Sequence, residues 1–176
     1  MALLRTERLR LRELGDADAD FILLLLNEPS FLRFIGDRGV RTAADARRYL
    51  LEGPIASYAR NGFGLHLVEL GDATPIGICG LLWRDGLDAP DIGFAFLPEY
   101  WGSGYAVESA RAVLAYAHEV LRLARVVAIV LPDNDRSIGV LGKLGLRFER
   151  TITWPADGAE LKLYGIDWQQ PNGEFP

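Results

Sequence analysis

Polar and apolar residues alternate with period two in LRLREL at 9–14, the pattern of a strand with one buried face. The period changes at Asp16, where DADADFILLLLNEP fits a helix that closes near Asn27, with Pro29 as its stop. Thr42 and Asp45 stand at capping-box spacing, and a second helix is expected from there to about Arg60. Asn61-Gly62 signals a turn, after which FGLHLVEL (63–70) and IGICGLLW (76–83) read as strands. IGFAFL (92–97) is a fourth strand. The next helix, Ala106 to Leu121, repeats Ala106, Ala110, Val113, Leu114, Ala117, Val120 and Leu121 at helical spacing. Three of these are alanines, so that face can lie close against a sheet. VVAIVL at 126–131 does not alternate, which marks a strand covered on both faces. Asn134 is placed to cap a short helix through about Lys143, with Gly145 as its stop. Arg147 to Trp154 and Glu160 to Asp167 then form two closing strands around Asp157-Gly158.

The result is one α/β domain over residues 1–168, a mixed sheet of seven strands with about four helices in the order β-α-α-β-β-β-α-β-α-β-β. The last residues, QQPNGEFP at 169–176, can bury little surface and are expected to be a flexible tail.

Charge and composition narrow the function. Lys+Arg number 19 against 24 Asp+Glu, a net charge of -5 with no basic run, which argues against a nucleic-acid partner. The unbroken apolar run from Phe21 to Leu26 is far too short to span a bilayer, and the N-terminus lacks a signal-peptide core, so a cytoplasmic protein is expected. Cys79 is the single cysteine, so no internal disulfide forms, and no Cys/His cluster suggests a metal site. His66 and His118 are each expected to be satisfied or exposed rather than catalytic.

The unusual stretch is WGSGYAVESA at 101–110, where two glycines one residue apart stand between a strand and a helix. A helix N-terminus carries unpaired N–H groups and partial positive charge, and glycines remove the Cβ atoms that would keep an anion away. A strained turn with no ligand would use the same residues. A dinucleotide-binding turn fits poorly, because its third glycine falls on Val107 and no Walker lysine is present.

The span from Asp91 to Phe148 resembles the GNAT family of acyl-CoA N-acyltransferases. WGSGYA at 101–106 fits that family's pyrophosphate loop, Q/R-x-x-G-x-G/A, with Trp101 in the first place. EYWGSGYAVESA at 99–110 and NDRSIGVLGKLGL at 134–146 look like the branch of the ribosomal-protein alanine N-acetyltransferases. LRTERLRLREL at 4–14 and ELKLYGID at 160–167 are similar to its first and last strands. The resemblance implies the GNAT fold, a seven-stranded, mostly antiparallel sheet with a splayed central strand pair and about four helices.

It also implies a site. The splayed fourth strand, at Phe94, Ala95 and Phe96, would bind the pantetheine arm of acetyl-CoA. Backbone donors at Gly102, Ser103, Gly104, Tyr105, Ala106 and Val107 would hold the pyrophosphate. Asn134 would contact the arm as well as cap its helix, and Lys143 would reach outer phosphates. Glu108 is read as structural, because it would repel phosphate. The implied reaction is direct attack of a primary amine, on a protein N-terminus or a small molecule, at the acetyl thioester. Some relatives use a tyrosine acid and a glutamate base, and those positions are Leu141 and Ile129 here. Ser137 matches the serine given the acid role in the resembling branch, and Asp91 is the candidate base. An acyl-CoA-binding sensor or regulatory protein without turnover is the alternative. The net charge of -5 favours a cationic acceptor. A homodimer is possible, with Trp154 and Trp168 as exposed aromatics suited to it.

Overall fold

Leu9 and Leu11, apolar positions of the first alternating run, are buried, and Arg10 and Arg12, which alternate with them, are only partly covered. The computed structural model describes residues 4–168; the tail expected at 169–176 lies outside the described residues. Eight strands form one sheet: β1 (Leu4–Arg5), β2 (Leu9–Glu13), β3 (Leu65–Leu70), β4 (Pro75–Leu82), β5 (Asp91–Phe96), β6 (Arg125–Val130), β7 (Arg147–Thr153) and β8 (Glu160–Asp167). Their spatial order is β1-β2-β3-β4-β5-β6-β8-β7. Every neighbouring pair is antiparallel except β5 and β6, which run parallel.

Five helices flank the sheet among the described residues. They are α1 (Ala19–Leu26), α2 (Pro29–Phe34), α3, α4 (Tyr105–Glu119) and α5 (Asp135–Lys143). Helix α3 is one continuous rod in three parts: Ala43–Leu50, a π-helical turn Leu51–Ile55, and Ala56–Asn61. The turn absorbs Pro54, which has no N–H to give to an ordinary helical ladder. Thr42 and Asp45 form the expected capping box, with the Asp45 N–H donating to Thr42 Oγ1 at 3.1 Å.

The seven strands and four helices of the sequence reading thus become eight and five. Strand β1 is two residues long, too short for any period to register. Pro29 does end α1, but it also occupies the first position of α2, where a missing N–H costs nothing. Val120, assigned to the apolar face of α4, lies beyond that helix and is exposed.

The two faces of the sheet build two cores. On one, α4 and α5 cover Leu11, Val68, Cys79 and Val126, and the alanines Ala110 and Ala117 are fully buried at the contact. On the other, α1 to α3 cover Leu14, Leu65, Leu67 and Ile78. A tie links the first hairpin to α4: Glu108 accepts from the Thr6 hydroxyl at 2.5 Å, the Arg8 N–H at 3.0 Å and Arg8 Nε at 2.7 Å. Glu108 is therefore structural, as the sequence suggested.

A second tie joins β2, β3 and the turn before α1. Arg12 donates through Nη2 and Nη1 to the two Asp18 oxygens at 2.8 and 2.9 Å, and through Nε to Glu69 at 2.9 Å. Burial tends to raise the Asp18 carboxyl, but the bonds from Arg12 and the Gly15 N–H outweigh it and hold the group below its usual 3.8. A carboxylate lowered in the folded state stabilises above its unfolded pKa and loses that contribution as pH falls through its folded one. Asp18→Asn is expected to lower stability by about 1–3 kcal/mol at pH 7, because the Arg12 guanidinium loses one of its two carboxylate partners. In urea titrations the gap to wild type should shrink once pH falls below about 4; a gap independent of pH would mean that packing, not charge, is what Asp18 supplies.

Candidate active site

Strands β5 and β6 share a single register pair, Asp91 with Val127. On its other side β5 pairs with β4 along its whole length, from Leu82–Asp91 to Gly77–Phe96. Strand β6 is likewise fully paired with β8. Beyond Asp91 the two strands therefore part, and the backbone of 92–96 faces a gap instead of a neighbour. Unpaired N–H and C=O groups in the middle of a sheet need a partner. This is the splay expected from the sequence.

A cavity of about 780 Å³ occupies the splay and extends over β4 and β5 to α2 and α3. It brings together Asp91, Phe94, Ala95, Asn134 and Ser137 from the sequence-derived set. Phe96 is not among its lining residues, and its side chain is buried against Gly77 in the α4-side core. Gly102, Ser103 and Gly104 form an exposed turn outside the cavity, at the start of α4. Gly102 and Gly104 adopt φ of +78° and +82°, left-handed conformations that favour glycine, and no atom lies within 4 Å of where a Gly102 Cβ would stand. The helix then opens with Tyr105, Ala106 and Val107, and the Glu108 N–H donates to the Gly104 carbonyl at 3.0 Å. Lys143 is exposed at the C-terminal end of α5, where its carbonyl accepts from Arg111 of α4 at 3.3 Å.

Trp101 packs rather than chelates. Its indole N–H donates to the Phe96 carbonyl at 2.9 Å, fixing the turn to the end of β5. The Arg136 guanidinium lies 4.3 Å from its ring centroid. Asn134 caps α5, accepting the Ser137 N–H at 3.2 Å. The Ser137 side chain remains half-buried at the cavity wall.

Asp91 is 2% exposed, and Arg84 Nε donates to its Oδ2 at 2.6 Å. Burial raises the carboxyl from 3.8 to about 6, while Arg84 and the Ile129 backbone N–H restrain the rise. Arg84 was not legible beforehand, because it sits in an irregular segment with no motif around it. The other ionisable candidates are inert. Burial pushes the Cys79 thiol up to about 12 and the His66 imidazole down to about 4. His118 is exposed and stacks on Trp168 at 4.9 Å. Trp154 and Trp168, expected to be exposed, are both half-covered, one by the cavity wall and one by that stacking. Among the described residues no group of three or more potential metal ligands occurs, and no helix is long and apolar enough to cross a membrane.

The family model of the acetyltransferase (GNAT) domain matches residues 8–147. The chain belongs to the GNAT acetyltransferase family. It is 31% identical over 155 residues to the uncharacterised protein YkkB of Bacillus subtilis, covering 84% of this chain and 86% of that one. It is 26% identical over 151 residues to the N-acetyltransferase YoaA of the same organism, with 85% of each chain covered. The crystal structure of an acetyltransferase from Agrobacterium tumefaciens superposes with a TM-score of 0.81 at 26% identity, covering 96% of this chain and 95% of that one. The chain is thus an N-acetyltransferase of the GNAT type, and acetyl-CoA is the donor used in that family.

The Arg84–Asp91 pair is open to direct measurement. In a 13C NMR titration the Asp91 carboxyl of this GNAT protein is expected to change state near pH 6, and Arg84→Gln should move that midpoint upward because the restraining cation is gone. A midpoint near 4 in wild type would show that the carboxyl is hydrated rather than buried.

Proposed function

We propose that this protein transfers the acetyl group of acetyl-CoA directly to a primary amine of a protein N-terminus or a small molecule. The observation that carries the reading is the gap between β5 and β6, flanked by Asp91, Asn134 and Ser137 and lying next to the open glycine turn. The residues fit the donor. Phe94 and Ala95 present backbone at the gap for the amides of a pantetheine arm, and Asn134 stands beside them. Gly102 to Val107 offer N–H groups at the N-terminus of a helix of 15 residues for a diphosphate. Lys143, at the C-terminal end of α5 beside Arg111 of α4, has its proposed role at the outer phosphates. Bound there, acetyl-CoA supplies an activated thioester.

The remaining work belongs to the chain. Holding both reactants in one cavity gives an entropic advantage that can reach ~7–11 kcal/mol. Backbone N–H groups of β5 are available to a developing oxyanion. Asp91 is the proposed base, acting directly or through a water. Its carboxylate meets the Ile129 N–H across the splay, so an acid from β5 stands beside the β6 position at which some relatives carry a glutamate. With a pKa of about 6 it is ionised at neutral pH and takes a proton from the acceptor's ammonium, which frees the lone pair that then forms the C–N bond. The adduct loses its second N–H proton to solvent as the sulfur departs. The sulfur leaves as a thiolate, near pKa ~8.5, and the Ser137 hydroxyl is placed to hydrogen-bond it. Cys79 takes no part, since its burial keeps the thiol protonated. The two sequence blocks at 99–110 and 134–146 are what support the closer likeness to the ribosomal-protein alanine N-acetyltransferases.

Calorimetric titration with acetyl-CoA is expected to give micromolar binding to wild type and none to a folded Gly104→Glu, because the new carboxylate would stand on the diphosphate site. Binding by both proteins would remove the turn from the site. Turnover in the presence of an amine separates an enzyme from an acyl-CoA sensor. For the acid and base, kcat/KM should rise with pH through about 6, as Asp91 ionises, and that limb should vanish in Asp91→Asn together with roughly 10²–10⁴ of the rate. Ser137→Ala should lower kcat about tenfold while leaving the Kd for acetyl-CoA unchanged.

A further inference from the structure

The chain carries a net charge of -5, yet the acceptor side of the cavity inverts that sign. Four arginines line it, Arg33, Arg38, Arg60 and Arg84, against three acids, Glu52, Asp91 and Asp157. Two of the arginines are already matched. Arg84 holds Asp91 at 2.6 Å, and Arg33 reaches Asp133 at 3.3 Å. The side chains of Arg38 and Arg60 have no hydrogen-bond or ion-pair partner among the described residues, and both are exposed where the cavity opens beside α2 and α3. Their guanidinium groups stay charged at any working pH and present paired N–H donors that match the geometry of a carboxylate or phosphate.

The positive field reaches inward. Tyr49, on the α3 wall, has its hydroxyl pushed above 10.0 by burial, and the charges that pull it back are Arg38 and Arg84, with no acid opposing them. Phe31, Phe34, Trp83 and Trp154 complete the lining with apolar surface. A polycation brought here would set its second ammonium against Arg38 and Arg60. Local charge therefore outweighs the overall balance, which by itself favours a cationic acceptor.

We propose that the acceptor is a small amine bearing an anionic group, a carboxylate or a phosphate, close to its amino nitrogen, and that Arg38 and Arg60 bind that group. This inference deepens the acetyltransferase reading and rests on it. It assigns to these two arginines a role in selecting the acceptor, distinct from the donor site and from the Asp91 base. The apolar lining gives the body of the molecule somewhere to sit, so an amino acid with an aromatic or branched side chain suits the cavity well.

The test is a matched-pair panel scored by release of free CoA thiol. Phenylalanine is compared with 2-phenylethylamine, phosphoethanolamine with ethanolamine, and spermidine is included as a polycation. The first pair differs by a carboxylate and the second by a phosphate, so the two arms separate the two anions. The anionic member of at least one pair is expected to show a kcat/KM roughly tenfold or more above its neutral partner. Arg38→Gln and Arg60→Gln should raise KM for that anionic acceptor by a similar factor, leaving kcat and the neutral partner's KM unchanged. Calorimetric binding of acetyl-CoA to each variant shows that fold and donor site are intact. Preference for neutral amines or spermidine, or turnover of no anionic member, overturns the proposal. So does an equal loss on both members of a pair in the variants. If wild type fails to bind acetyl-CoA at all, the acetyltransferase reading itself has failed, an outcome distinct from a wrong choice of acceptor.

Discussion

Everything at the candidate site depends on two parallel strands that touch at one register pair and then separate. A sheet normally satisfies its backbone by pairing every strand, and here β5 beyond Asp91 is paired on one edge only. The arrangement stands because both strands are anchored on their far sides, β5 by β4 and β6 by β8. The helices on the two faces then hold the halves of the sheet at a fixed spacing. The unpaired backbone becomes a recognition surface instead of a defect. Asp91 sits at the fork itself, and its burial follows from that position.

The same geometry explains the electrostatics. A carboxyl at the closed end of the fork is deep enough to lose water, which raises its pKa, and close enough to Arg84 to remain usable as a base. Farther out the walls come from α2, α3 and the segment between β7 and β8, and arginines far apart in the chain line the same cavity. The interior of the fork and its outer reach thus carry different charge, a buried carboxyl in one and exposed guanidinium groups in the other.

Much of the fold was legible in the sequence because local signals were strong. The capping box at Thr42, the N-cap at Asn134 and the closing strand Glu160–Asp167 stand where the pattern put them. The glycine turn was legible because positive φ in two non-adjacent glycines leaves a plain mark. Helix α2 was missed because Pro29 acts at once as a stop and a start. The site was only half legible. Residues close in sequence to a motif, such as Asn134 and Ser137, could be placed, and Asp91 could be guessed from its strand end. The side chain of Phe96 lies outside the cavity lining, and period-two alternation along β5 says nothing of where the splay ends. Arg84, Arg38 and Arg60 carry no motif, and only the tertiary arrangement puts them on one cavity.

The bonds from Glu108 to Thr6 and Arg8 join points about one hundred residues apart. They close one of the longest loops in the molecule, and loop closure of that kind comes late in folding because its entropy must be lost before the contact repays it. During synthesis the first hairpin emerges well before the helix that it will hold. The glycine turn immediately precedes Glu108, so the alignment of its N–H groups waits on a contact made from the far end of the chain. The turn thereby takes its final setting only once most of the domain has been translated and assembled.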